Sequence, residues 1–214
     1  AMTDLAREYS QVDALHGGLP DFPRSFTGKG VLIGVIDTGF DFMHPAFRDA
    51  EGNSRIVHVW DQSGRNGNTP SMGYGVVFDT PELIRSAAHD VSRDTHGTHV
   101  AAIAASSADV YKGMAPESDI VVVATDKSES GIIDALAYLL DYAEKEKKPI
   151  AINLSMGTVI GFKDGTDPIA SMIDELLDKS GKKCLMAIAA GNEGHRNSTI
   201  VTEATGQGEV INTS

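Results

Sequence analysis

The chain of 214 residues contains one cysteine, Cys184, which excludes an internal disulfide and a multi-cysteine zinc site. With Leu185, Met186 and Ala187 beside it, that thiol is expected to be a small buried side chain. Positive charge is scarce as well: 18 Lys and Arg stand against 30 Asp and Glu, a formal charge of −12. The densest basic stretch is Lys145 to Lys148, at a predicted helix end, and the balance argues against a nucleic-acid or anionic-membrane partner. Apolar runs such as Val31 to Ile36 and Ile120 to Ala124 fall far short of the roughly 20 residues needed to span a bilayer, so no membrane insertion is expected. There is no internal repeat, low-complexity tract or Pro-rich linker. The start, Ala1-Met2-Thr3-Asp4, has neither the basic nor the apolar region of an export signal, so these residues disclose no compartment.

What is present is an alternation of short apolar runs with longer helical patterns, the signature of βαβ units. Strands are predicted at Val31 to Asp37, Ile56 to Trp60, Asp119 to Thr125, Ile150 to Leu154 and Leu185 to Ala190. All but the second are near-continuous apolar runs, as expected of parallel strands covered on both faces. Helices are predicted at Gly97 to Ser106, Gly131 to Lys147 and Pro168 to Lys179; in the second, Ile132, Leu136, Leu139, Leu140 and Ala143 recur at three- and four-residue spacing. The length fits one domain, 1–214, with a continuous core. The fold class is therefore α/β: a three-layer, mostly parallel sheet with helices on both faces. Between Gly52 and Asp94 the pattern is broken by Gly64, Gly67, Pro70, Gly73 and Gly75, which predicts a surface excursion with a hairpin and a short helix at Pro81 to Ala88.

In such sheets ligands sit beyond the carboxyl ends of the strands, and three polar signatures fall there. Asp37 closes an apolar strand and precedes Thr38-Gly39. His96 opens a helix of small residues, Gly97-Thr98-His99-Val100-Ala101-Ala102. Asn192 lies in Ala189-Ala190-Gly191-Asn192-Glu193-Gly194, at the end of another apolar strand. Each has a plainer reading: a cap aspartate, a His96/His99 metal pair one turn apart, a Gly-rich turn.

Together and in this order, Asp-Thr-Gly, His-Gly-Thr-His-Val and Gly-Asn-Glu-Gly resemble the bacterial subtilisin-like serine proteases, peptidase family S8. The likeness runs from about Gly30 to Gly194 and includes Phe40 to Pro45, Lys112-Gly113-Met114-Ala115-Pro116 and Asn153-Leu154-Ser155-Met156-Gly157. It implies a subtilisin-like α/β fold and a serine endopeptidase. Asp37 would orient and stabilise the imidazole, His96 act as general base and acid, and Asn192 donate to the oxyanion. Ser155, Met156 and Gly157 would offer the substrate a strand edge and one wall of the S1 pocket. Ala189, Ala190 and Gly191 would form another wall, Glu193 its rim, and Ser130 and Gly131 the opposite side of the cleft. By the same likeness the partners are a peptide or protein substrate and the enzyme's own propeptide, and the location is secreted or cell-envelope.

The pattern breaks at the nucleophile. The family's Gly-Thr-Ser-Met-Ala string is absent, and Asn212-Thr213-Ser214 lacks its first glycine. The expectation is an N-terminal part of a peptidase domain, inactive alone, with the serine elsewhere. Ala46 follows His44-Pro45 where many members carry a calcium-binding Asp, so no cofactor is expected and that calcium site is not carried over. Residues 52–94 resemble insertions found in bacterial members. Two competing readings remain. Asp37-Thr38-Gly39 also fits an aspartic protease, which needs a second such triplet and an all-β chain. A pseudoprotease or peptide-binding module would keep the cleft without the nucleophile.

Overall fold

The computed structural model describes residues 3–18, 24–92, 94–157 and 165–192. In chain order the elements are α1 (Thr3–Tyr9), α2 (Val12–Gly17), β1 (Leu32–Asp37), β2 (Ile56–Asp61), β3 (Val76–Phe78), α3 (Pro81–Ala87), α4 (His96–Ala105), β4 (Asp119–Ala124), α5 (Glu129–Glu146), β5 (Ile150–Leu154), α6 (Pro168–Ser180) and β6 (Cys184–Ile188). The strands form one sheet in the order β3-β2-β4-β1-β5-β6. Every described pairing is parallel except β2 with β3.

Alternation along each strand divides the core in two. Leu32, Ile36, Val121, Val123, Ile150 and Ile152 point toward one layer, where they meet Leu136, Leu139 and Ala143 of α5 and Ile173 of α6. Ile33, Val35, Ile120 and Val122 point the other way, onto Ala101 and Ala105 of α4, Ile84 of α3 and the phenylalanines Phe40, Phe42 and Phe47. The three-layer, mostly parallel architecture follows.

Helix ends obey local chemistry. Ser128 Oγ accepts from Gly131 N to start α5, and Asp167 Oδ1 accepts from Ile169 N and Ala170 N to start α6, with Pro168 at its first position. Lys147 closes α5 in the left-handed conformation, φ 55°.

Three expectations are revised. The 52–94 stretch is not wholly superficial: β2 lies within the sheet between β3 and β4, and Trp60 is fully buried. Its polar residues had masked this, for His58 is buried through a 2.6 Å Nε2 contact to Tyr138 Oη and Trp60 through an indole N–H donated to Tyr74 O. The antiparallel β2–β3 pair is the hairpin expected there, while α1 and α2 add to the predicted elements. Among the described residues the strand at β6 is not covered on both faces: Leu185 is 77 % exposed and Ile188 50 %. Cys184 is only partly buried, yet burial still pushes its thiol pKa up.

Candidate active site

Because β1, β4, β5 and β6 run parallel, their carboxyl ends share one edge of the sheet, and the chemistry-bearing residues gather there. Asp37 is the last residue of β1, fixed through its carbonyl by Thr125 N at 2.9 Å. Its carboxylate accepts from Thr38 N at 2.7 Å and meets His96 Nδ1 at 2.9 and 3.0 Å.

That pairing depends on how α4 docks. The first amides of a helix have no partner within it. Here Gly97 N donates to Thr38 O at 2.7 Å and Thr98 N to Gly39 O at 3.0 Å, so the turn after Asp37 satisfies the helix that carries His96. Thr98 Oγ1 donates to Gly39 O and accepts from Asp41 N, doubling the attachment. Gly39 must be glycine: its φ is +82°, and a Cβ would lie 2.5 Å from the Asp94 carbonyl carbon. Gly97 must be small too, since its Cβ would lie 2.7 Å from the Phe40 ring. The small-residue helix therefore exists to let an imidazole approach a strand end. Asp94 Oδ1 accepts from Thr95 N and His96 N, holding the helix start from the other side.

A carboxylate only accepts, so His96 Nδ1 carries the hydrogen, and in the neutral imidazole the lone pair is then on Nε2. Asp37 is 2 % exposed at its side chain and His96 50 %. The pair thus sets a buried carboxyl group behind a half-exposed imidazole. His99 is exposed, and among the described residues no three His, Cys, Asp or Glu side chains are grouped to hold a metal ion.

Ser155, Met156 and Gly157 leave the end of β5, and Ala189, Ala190 and Gly191 leave the end of β6. The two segments abut: Ala189 N donates to Leu154 O at 3.0 Å, and a Cβ on Gly157 would lie 3.7 Å from Ala189 O. Ser155 Oγ donates to Asn153 Oδ1, and Met156 packs against the α5–α6 core. Asn192 is exposed and follows the end of β6 in the chain; Glu193 lies outside the described residues. Ser130 and Gly131 fall in the first turn of α5. Ser130 is exposed, whereas Gly131 is buried, its carbonyl accepting from Gln62 Nε2 at 2.7 Å and its Cα facing Asp126 and Gln62 too closely for any side chain.

Two carboxylates at this edge escaped the sequence reading. Asp90 is buried and accepts from Gly39 N at 2.8 Å and Phe40 N at 3.0 Å. Asp61, at the end of β2, is buried and accepts from Ser63 N, Gly64 N and Val91 N. Burial holds both above the usual carboxylate range, although the backbone donors pull the other way. The signal for Asp61 was available, since like Asp37 it closes a strand; Asp90 has no such marker.

The profile of the Subtilase family matches residues 28–211. Among curated proteins, the chain is 30 % identical to the subtilisin-like protease PopC of Myxococcus xanthus, over 78 % of this chain and 34 % of that protein. It is 28 % identical to the serine protease AprX of Bacillus subtilis, over 94 % of this chain and 41 % of that protein. The chain thus spans well under half the length of these relatives. Among solved structures it resembles the CspB protease of Clostridium perfringens, with a TM-score of 0.64 and 30 % identity over 79 % of this chain and 37 % of that one. Sphericase shares the fold, with a TM-score of 0.56 at 22 % identity over 88 % of this chain and 54 % of that one. The ordered Asp-Thr-Gly and His-Gly-Thr-His segments, the Asp37–His96 pairing they produce and a family match covering most of the sequence lead to one conclusion: the chain belongs to the Subtilase family.

Proposed function

We propose that this chain carries the acid–base half of a serine endopeptidase and that the nucleophilic serine lies outside residues 1–214. The observation that carries the reading is the Asp37–His96 contact, with Nδ1 held by a buried carboxylate on an imidazole that is half exposed. Nε2 takes the proton of an attacking serine hydroxyl and returns it to the leaving amine, while Asp37 fixes the tautomer and stabilises the imidazolium. Asn192, an exposed side-chain amide after β6, donates to the developing oxyanion. A peptide lies as an added strand against Ser155, Met156 and Gly157, with Ala189, Ala190 and Gly191 bounding a P1 side chain and Glu193 at its rim. The substrate is a protein or peptide.

Two features support placing the nucleophile elsewhere: no Gly-Thr-Ser-Met-Ala string occurs in the chain, and the exposed Leu185 on β6 offers apolar surface for further structure. The missing string equally favours a second reading, a peptide-binding pseudoprotease. A chain extended to include such a segment separates them. It should cleave a casein-type substrate, Asp37→Asn should lower kcat roughly 10⁴-fold with KM little changed, and residues 1–214 alone should show no turnover. An extended, folded chain without turnover establishes the pseudoprotease.

A further inference from the structure

The segment that leads into α4 runs antiparallel to the segment that leaves β1. Phe42 N donates to Ala88 O at 2.8 Å, Asp90 N to Phe40 O at 3.3 Å, and Asp41 bridges His89. At the end of this short ladder Asp90 folds its buried carboxylate back onto the two amides that follow Thr38, one oxygen to Gly39 N and the other to Phe40 N. Four residues later Asp94 holds the amides of Thr95 and His96. One stretch of chain therefore grips both members of the pair, Asp37 through its turn and His96 through its helix start.

The grip has a cost: burial disfavours the charge on Asp90, those two amides and the neighbouring His89 offset it, and Asp61 and Asp90 oppose each other as like charges. Asp61 in turn accepts from Val91 N at 3.2 Å, tying the same segment to the end of β2.

We propose that Asp90 is a positioning residue for the Asp37–His96 pair: its bidentate grip on Gly39 and Phe40 sets the turn whose carbonyls dock α4 and so brings the imidazole onto the carboxylate. This rests on the pair being the working acid–base unit, but the readout needs no turnover, so a failed protease reading leaves it testable. The His96 Nδ1–H proton, shared with Asp37, gives an NMR resonance that reports the contact directly. In Asp90→Asn, which keeps the shape but offers only one acceptor, that resonance should broaden or vanish through exchange. The amides of Gly39 and Phe40 should exchange roughly ten- to a hundredfold faster, while those of Leu139 and Ala143 in α5 stay within about twofold. If α5 also loses protection, the fold has failed, and Asp90→Glu, which retains the charge and both acceptors but displaces them by a methylene, is read in its place. A shifted or exchange-broadened His96 resonance in that variant supports the assignment. A folded variant of either kind in which the His96 resonance is unchanged overturns it.

Discussion

At the scale of single residues the constraint is steric before it is chemical. Gly39 has no freedom to become anything else, because positive φ and a carbonyl 2.5 Å from its missing Cβ act together. Gly39→Ala should therefore cost several kcal/mol, about 3 or more, and separate Asp37 from His96; urea denaturation together with the His96 proton resonance checks both. Arg55 shows the same economy with charge. It is buried, and its guanidinium donates to Ser118 O, Ala46 O and Ala105 O, the last a carbonyl of the final turn of α4. Arg55→Lys keeps the charge but cannot reach three carbonyls, so it should lose about 2–3 kcal/mol of stability in the same assay. His58 is buried against Tyr138 and Tyr142, and burial lowers its pKa from 6.5 to about 4, with Asp79 opposing and Lys145 reinforcing the shift.

Elements show why some of this was legible and some was not. The strands β1 and β4 are buried runs of Val, Ile and Leu between a few polar or glycine positions, and β5 buries Ile150, Ile152 and Leu154 in alternation with the half-buried Ala151 and Asn153, so all three are legible as strands. Helices α5 and α6 carry a regular apolar spacing, and their predicted ends differ from the observed ones by two residues or fewer. β2 was recognisable as a strand but not as an internal one. His58 and Asp61 look like surface residues until Tyr138 and the amides of Ser63, Gly64 and Val91 are seen to satisfy them. In the candidate site, the meeting of Asp37 with His96 was readable from their motifs, whereas Asp90 depends on a long-range turn that no local pattern encodes. Helix α4 is bound mainly by its small face, with Gly97, Ala101 and Ala105 buried. Ala101→Leu should overpack that face and cost about 1–3 kcal/mol, with the His96 proton resonance lost even where the sheet amides remain protected.

For the molecule as a whole, buried titratable groups set the response to acid. A group whose folded pKa is depressed binds protons more readily when unfolded, so His58 withdraws stability as pH falls from about 6.5 toward 4. The full interval corresponds to roughly 3 kcal/mol. Asp61 and Asp90 act in the opposite sense, because folded pKa values raised by burial return stability as those carboxylates take up protons. Replacing His58 with Phe should therefore remove this contribution to acid sensitivity. The stability of the native chain relative to His58→Phe, measured by denaturant titration, should fall by roughly 2–3 kcal/mol between pH 7 and 4.5. The central claim is that Asp37 and His96 are an acid–base pair awaiting a serine outside residues 1–214. Labelling with a fluorescent fluorophosphonate, which reacts with a serine activated by an adjacent base, tests it most directly. The account predicts that a chain extended through a Gly-Thr-Ser-Met-Ala segment labels, that His96→Ala abolishes the label, and that residues 1–214 stay dark. Labelling of residues 1–214 themselves, or labelling of the extended chain that survives His96→Ala, would contradict it.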